Sequence, residues 1–150
     1  MSDGIARLIS DSARLIKREF EARARSLGIT REQAFALVAL SRNEGVNQVR
    51  FAELMEMDAI PLFRLVDRLE ASGLVRRERD PADRRARRLY LTQAGWATLD
   101  LLRPLMDQLG QDVCAGIAPE EIATFRKVDL LERTAPFIEL RRVAGAGTHQ

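Results

Sequence analysis

Residues 51–92 read FAELMEMDAIPLFRLVDRLEASGLVRRERDPADRRARRLYLT, and the fold turns on how this stretch divides. A short helix is predicted at Phe51–Met57. Asp58 can cap the helix that follows, and Pro61 is tolerated because it falls in the first turn. Leu62, Leu65, Val66 and Leu69 then share one face, and Gly73 is placed to end the helix in a left-handed cap. Two alternating segments, 74–79 and 87–92, enclose a tip crowded with arginine. From Leu74 to Thr92 there are seven arginines (Arg76, Arg77, Arg79, Arg84, Arg85, Arg87 and Arg88) against Glu78, Asp80 and Asp83. The segment carries a formal +4 while the whole chain carries +2, so the positive charge is local. Guanidinium groups packed this densely repel one another unless they meet a polyanion. Helix, turn, helix and basic hairpin, in that order, describe a winged helix suited to duplex DNA.

The remainder of the chain is consistent with a mainly α protein carrying one small hairpin. At 150 residues, with 46% hydrophobic and 31% charged positions, it is long enough for one cored domain spanning 1–150. The longest apolar run, AFALVAL at 34–40, is far too short for a bilayer, and the acidic start MSDGIARL lacks a signal-peptide core. A cytoplasmic location is expected, with no membrane partner. One cysteine rules out an internal disulfide framework, and a single histidine at position 149 argues against a Cys/His zinc site. No metal or cofactor is expected. Basicity is nearly all arginine, 22 residues against 2 lysines, which suits bidentate recognition of phosphate and guanine.

Upstream, Ile5, Leu8, Ile9, Leu15, Ile16 and Phe20 recur at helical spacing, predicting a long amphipathic helix to about Ser26 that Gly28 ends. Thr30 and Gln33 form a capping-box pattern for a second helix bearing Ala34, Leu37 and Val38. Asn43–Gln48 reads as a loop. Downstream, Thr92 caps a long linking helix at 93–114, with Leu99, Leu102, Leu105, Met106 and Leu109 along its buried stripe and Pro104 predicting a kink. Pro119 opens a last helix whose apolar face continues through Ile122, Phe125, Val128 and Leu130 or Leu131. Pro136 should bend or end that helix, and 143–150 reads as a flexible tail. The segments 1–27 and 115–142 flank the winged helix (28–95) with apolar stripes that have no obvious core of their own. Interleaved with the same pair from a second chain they would form a dimerisation module; the alternative is that they fold back on one domain.

On the second helix of the motif, Ile60, Arg64, Asp67, Arg68 and Ala71 lie half a turn from the apolar face, with Phe63 on the flank. This face would enter the major groove. Arg64 is the best base reader, since its fork matches guanine O6 and N7, and Asp67 one turn on can hold it in place. Ile60 and Phe63 either touch thymine methyls or, for Phe63, belong to the core; Pro61 lies beside them. At the hairpin tip, Arg84 and Arg85 are placed to enter a narrow minor groove. Asp83, oddly charged for a polyanion site, is expected to brace a neighbouring guanidinium. Arg76, Arg77, Arg87 and Arg88 are expected to contact phosphates, adding affinity without sequence information.

LGITREQAFAL, FAELM, LVDRLEASGLVRRERDPADRRARRLYLT and the closing QAG, from about Gly28 to Gly95, together resemble the MarR (multiple antibiotic resistance regulator) family of bacterial transcription factors. The resemblance implies an obligate homodimer of six-helix chains with a wing between the fourth and fifth helices. It implies binding to a pseudo-palindrome and, often, release by a small aromatic or phenolic ligand, here read as a repressor's behaviour. By position Arg64 matches the family's recognition-helix arginine, and Asp83 with Arg84 its wing-tip pair. Three departures stand out. Glu56 occupies a turn position that is often glycine, the usual Ser/Thr residues of the recognition face are replaced by Ile60, Pro61 and Phe63, and Pro136 interrupts the last helix.

A ligand cleft of the kind the family implies would be lined by the first helix, the second helix and the start of the long helix. Phe20, Phe35 and Trp96 are its apolar candidates, with Arg14 or Arg18 to pair a carboxylate. Three other readings compete with a ligand-released DNA binder. An enzyme lacks any triad, metal set or phosphate-cradling glycine loop. A thiol sensor would depend on Cys114, which otherwise reads as a small apolar filler. A winged helix that binds a protein partner rather than DNA is argued against by the +4 hairpin.

Overall fold

The computed structural model describes residues 2–127, which form α1 (Ser2–Ser26), α2 (Arg31–Ser41), α3 (Gln48–Leu54), α4 (Ala59–Ala71), β1 (Val75–Arg79), β2 (Arg87–Leu91), α5 (Gln93–Cys114) and α6 (Pro119–Lys127). They fall into two compact units, one ending at Val113 and the other beginning at Cys114. The expectations for Val128, Leu130, Leu131, Pro136 and the tail lie outside the described residues.

Helix ends in the first unit are set by local chemistry. Gly28 (φ +75°) closes α1 in a left-handed turn, with the Ile29 N–H donating to Ala24 O at 3.2 Å and the Gly28 N–H to Arg25 O at 3.0 Å. Thr30 and Gln33 form both halves of the capping box on α2, Thr30 Oγ1 accepting at 3.2 Å and Gln33 Oε1 at 2.9 Å. The third helix begins three residues earlier than predicted because Asn47 caps it, its Oδ1 accepting the Arg50 N–H at 2.8 Å. The preceding stretch is not a plain loop either. The Gly45 N–H donates to Leu89 O at 2.8 Å and the Leu89 N–H to Val46 O at 2.9 Å, so the loop is tied to β2, with one isolated bridge between Asn47 and Arg88.

The turn between α3 and α4 keeps the geometry a glycine would give. Glu56 has φ +50°, the one non-glycine residue with positive φ among the described residues. The Met57 N–H reaches Ala52 O at 3.0 Å and the Glu56 N–H reaches Glu53 O at 3.1 Å, the two bonds of a glycine-type helix end. Asp58 has the extended backbone of a cap residue, but its side chain accepts no capping hydrogen bond. Pro61, the third residue of the helix, has no N–H to offer, which removes one of the two donors that a capping side chain ordinarily takes.

The core is one cluster drawn from α1 to α5 and the hairpin: Leu37, Leu40, Phe51, Leu62, Leu65, Val66, Leu69, Leu89, Leu99 and Leu102 are all but fully buried. Gly73 (φ +70°) turns the chain from α4 into β1, which pairs antiparallel with β2 from Val75↔Leu91 to Arg79↔Arg87. Thr92 ties this base to α5, donating its hydroxyl to Gly73 O at 2.6 Å while accepting the Gly95 N–H at 3.0 Å. A Cβ on Gly95 would collide with Leu74 O, so the approach of α5 to the hairpin base requires glycine. The stripe on α5 is buried at Leu99, Leu102 and Leu109 and half-buried at Leu105 and Met106, and the helix continues through Pro104.

The second unit contributes α6, capped by Glu121, whose carboxylate accepts the Ala118 N–H at 3.0 Å. Glu120 and Glu121 occupy its first turn and Arg126 and Lys127 its last, each sign favourable at its end of the helix dipole. Its Phe125 is exposed.

Candidate nucleic-acid interface

On α4 the inward face is Leu62, Leu65, Val66 and Leu69, and the outward face is Ile60, Pro61, Arg64, Asp67 and Arg68, all exposed. Phe63 is 37% exposed and is not part of the buried core. It walls an open cleft of about 500 Å³ with Asn47, Val49 and Arg50 on one side and Arg85 and Arg87 of the hairpin on the other. Arg64 is exposed and makes no ion pair among the described residues. Asp67 does not hold it. That carboxylate is taken by Arg77, at 2.5 Å.

Arg77 is therefore no free phosphate contact. Strand alternation places it on the inner side of the hairpin with Val75 and opposite Leu89, and its side chain is only 17% exposed. Its guanidinium is shared among Asp67, Glu70 and Gln48 Oε1, the last at 3.1 Å. One arginine thus ties β1 to both α3 and α4. Register was the available signal: residues two apart on β1 share a face, so Val75 facing inward carries Arg77 with it. Arg76, on the other face, lies 4.7 Å over the Tyr90 ring and pairs with Glu78.

Bracing at the tip is also arranged differently from the expectation. Asp80, not Asp83, holds a guanidinium: its Oδ2 accepts from Arg88 Nε at 2.8 Å and its Oδ1 from the Ala82 N–H at 2.8 Å. The Arg88 hydrogen bond, helped by that backbone N–H, holds the Asp80 carboxyl below the usual carboxylate range, and the same pair raises Arg88. Arg88 is half-buried, with its Nε engaged by Asp80. Asp83 shapes the backbone, its Oδ1 accepting the Arg85 N–H at 2.9 Å. Arg87 leans on the tip carbonyls of Arg84 and Ala86. Arg84 and Arg85 are exposed and extend from this braced turn. The hairpin also sets Arg79 opposite Arg87, a like-charge pair that an anion would relieve.

The five residues considered for a ligand cleft are not gathered in one place. Phe20 is buried and stacks on Phe35, ring centres 5.0 Å apart and planes 17° from parallel. Arg14 pairs with Asp11 at 3.2 Å, and Arg18 is exposed on α1. Trp96 lies elsewhere, in an open cleft of about 460 Å³ between α2 and α5 that Val38, Arg42, Leu99, Arg103 and Met106 also line. Among the described residues no helix is long and apolar enough to cross a membrane, and no group of three or more His, Cys, Asp or Glu is placed to hold a metal ion.

Known proteins share this arrangement. A profile described as "MarR family" matches residues 27–86. The transcriptional regulator HosA of Escherichia coli O111:H- is 31% identical over 100 residues, covering 67% of this chain and 74% of that protein. The crystal structure of a mutant MarR from E. coli complexed with operator DNA superposes with a TM-score of 0.77 at 26% identity, covering 87% of this chain and 93% of the other. A MarR-family transcriptional regulator from Silicibacter pomeroyi is 31% identical with a TM-score of 0.69, covering 86% of each chain. The winged helix, its basic hairpin and these similarities converge: the chain belongs to the MarR family of DNA-binding transcriptional regulators, which are not enzymes.

Proposed function

We propose that this regulator acts in the cytoplasm as a homodimeric repressor on an inverted-repeat operator. The observation that carries the reading is the pairing of an exposed α4 face bearing Ile60, Arg64 and Arg68 with an arginine-rich tip offering Arg84 and Arg85, the two linked by Arg77. Arg64 reads a base, Arg84 and Arg85 enter the minor groove, and Arg68 and Arg87 serve the phosphates; Pro61 and Asp83 shape the two elements rather than touch a base. The segments 1–27 and 115–142 act as the dimerisation arms, 28–95 as the DNA-binding module and 93–114 as the link. Support for the dimer comes from α1, where Ile5, Leu8, Ile9, Leu15 and Ile16 are exposed on one amphipathic helix. Two recognition helices in successive major grooves stand about 34 Å apart, so half-site centres about 10 base pairs apart are expected. Hydroxyl-radical footprinting of the full chain on a selected duplex tests this. Two protected half-sites related by a dyad support the reading, and a single asymmetric half-site held by a monomer overturns it.

A small, largely apolar effector would release the operator from the cleft between α2 and α5. Trp96, Leu99 and Met106 supply apolar walls there, and Arg42 supplies positive charge for an acid, while Arg103 is paired with Asp100 and Asp107 also lines the cleft. An effector that prefers a different spacing of the two recognition helices needs a differential affinity of only a few kcal/mol to empty the site. Ligands found by thermal shift that leave operator affinity unchanged would overturn release by this route.

A further inference from the structure

The outward surface of α4 is divided between groups already engaged and groups left bare. On the side towards the hairpin, Asp67 and Glu70 are bound to Arg77, and Phe63 walls the cleft beside the tip. Besides the exposed Arg68, the bare part is Ile60, 66% exposed, and Arg64, one turn further on and, like Arg68, without an ion pair among the described residues. Four residues apart, they point in nearly the same direction. The turn that presents Ile60 is poor in donors, since Pro61 has no N–H and Asp58 places a carboxylate at the helix start. It is thus a weak seat for a phosphate, unlike an ordinary helix N-terminus. A branched aliphatic side chain held out here gains only by meeting an apolar group. On the base edges of the major groove the thymine 5-methyl is that group.

We propose that Ile60 is a specificity-determining residue that reads the 5-methyl of a thymine in each half-site, beside the guanine read by Arg64. Four helical residues span about 6 Å, against a base-pair rise of about 3.4 Å, so the two contacts fall one to two base-pair steps apart. The inference rests on the DNA-binding reading above. Phe63, turned to the cleft, does not share this role.

The test starts from a duplex enriched from a random library by the full-length protein. Each half-site thymine is then replaced in turn by 2′-deoxyuridine, which removes only the methyl, and affinity is read by fluorescence anisotropy. One position per half-site should respond, weakening binding about 4-fold for one half-site and about 15-fold for both. Ile60→Ala should lose a similar factor on the thymine duplex and no longer distinguish it from the deoxyuridine duplex. Phe63→Leu should keep the distinction. Ile60 is exposed, so the variant retains the fold, which circular dichroism checks. Equal affinity for both duplexes at every half-site position, or a methyl effect that survives Ile60→Ala, overturns the assignment and leaves DNA binding intact. Failure to enrich any duplex overturns the DNA-binding reading and this inference with it.

Discussion

Arg64 and Arg77 are both arginines of the candidate interface, yet the fold gives them opposite surroundings. Arg64 is exposed on α4 with no ion pair among the described residues, whereas Arg77 is held by Asp67, Glu70 and Gln48. Arg64→Ala should cost about 1–3 kcal/mol of operator binding and relax preference at one base pair per half-site, as read from affinities on a panel of mutated duplexes. Arg77→Ala should instead lower stability by about 1–2 kcal/mol in denaturant titration and weaken all duplexes alike, because it frees the hairpin from α4. A change in base preference from Arg77→Ala with none from Arg64→Ala would reverse these roles. The Asp80–Arg88 pair adds a pH dependence. Asp80 ionises below its ordinary value in the folded protein, so its contribution is present above about pH 4 and is lost as pH falls through that lowered value. Asp80→Asn should therefore be less stable than the parent at pH 7, with the difference shrinking below about pH 4. A gap independent of pH would show that the carboxylate charge is not what matters.

At the scale of elements, two backbone positions govern how the binding elements are aimed. Glu56 carries the left-handed turn between α3 and α4 that glycine adopts without strain. Glu56→Gly should stabilise the protein by up to about 1 kcal/mol, the left-handed penalty of an L-residue less the extra chain entropy of glycine. Gly95 has the opposite sensitivity, since any Cβ there runs into Leu74 O. Gly95→Ala should cost about 1–3 kcal/mol and displace the hairpin from α5, lowering DNA affinity as well as the denaturation midpoint. A neutral Gly95→Ala would mean that this contact is looser than the geometry gives.

For the whole molecule, oligomeric state is the decisive property. Deleting 1–26 is a poor probe, because Phe20 and Ala24 of α1 belong to the core. Leu8→Asp together with Leu15→Asp is better, since both side chains are exposed within the chain. The double variant should keep its circular dichroism, sediment as a monomer and lose roughly 10²–10⁴-fold in operator affinity as the second half-site contact disappears. A dimer that persisted would mean that the α1 stripe is not the interface.

The order of elements, the winged-helix class and the exposed arginine tip were legible in the sequence, because caps, apolar periodicity and local charge are properties of neighbouring residues. Thr30 with Gln33, Gly28, Gly73 and the four buried positions of α4 are of that kind. Which arginines remain free was not legible. Asp67 reaches Arg77, ten residues away and on another element, rather than Arg64 one turn before it, and Gln48 joins them from α3. Asp80 finds Arg88 across the hairpin, a consequence of strand register and not of spacing along the chain. The backbone hydrogen bonds that tie Gly45 and Val46 to Leu89 likewise depend on β2 lying alongside. Side-chain type and period are written in the chain itself; the partner of each charge is chosen only when distant elements are packed together, since an ion pair forms where two groups meet in space.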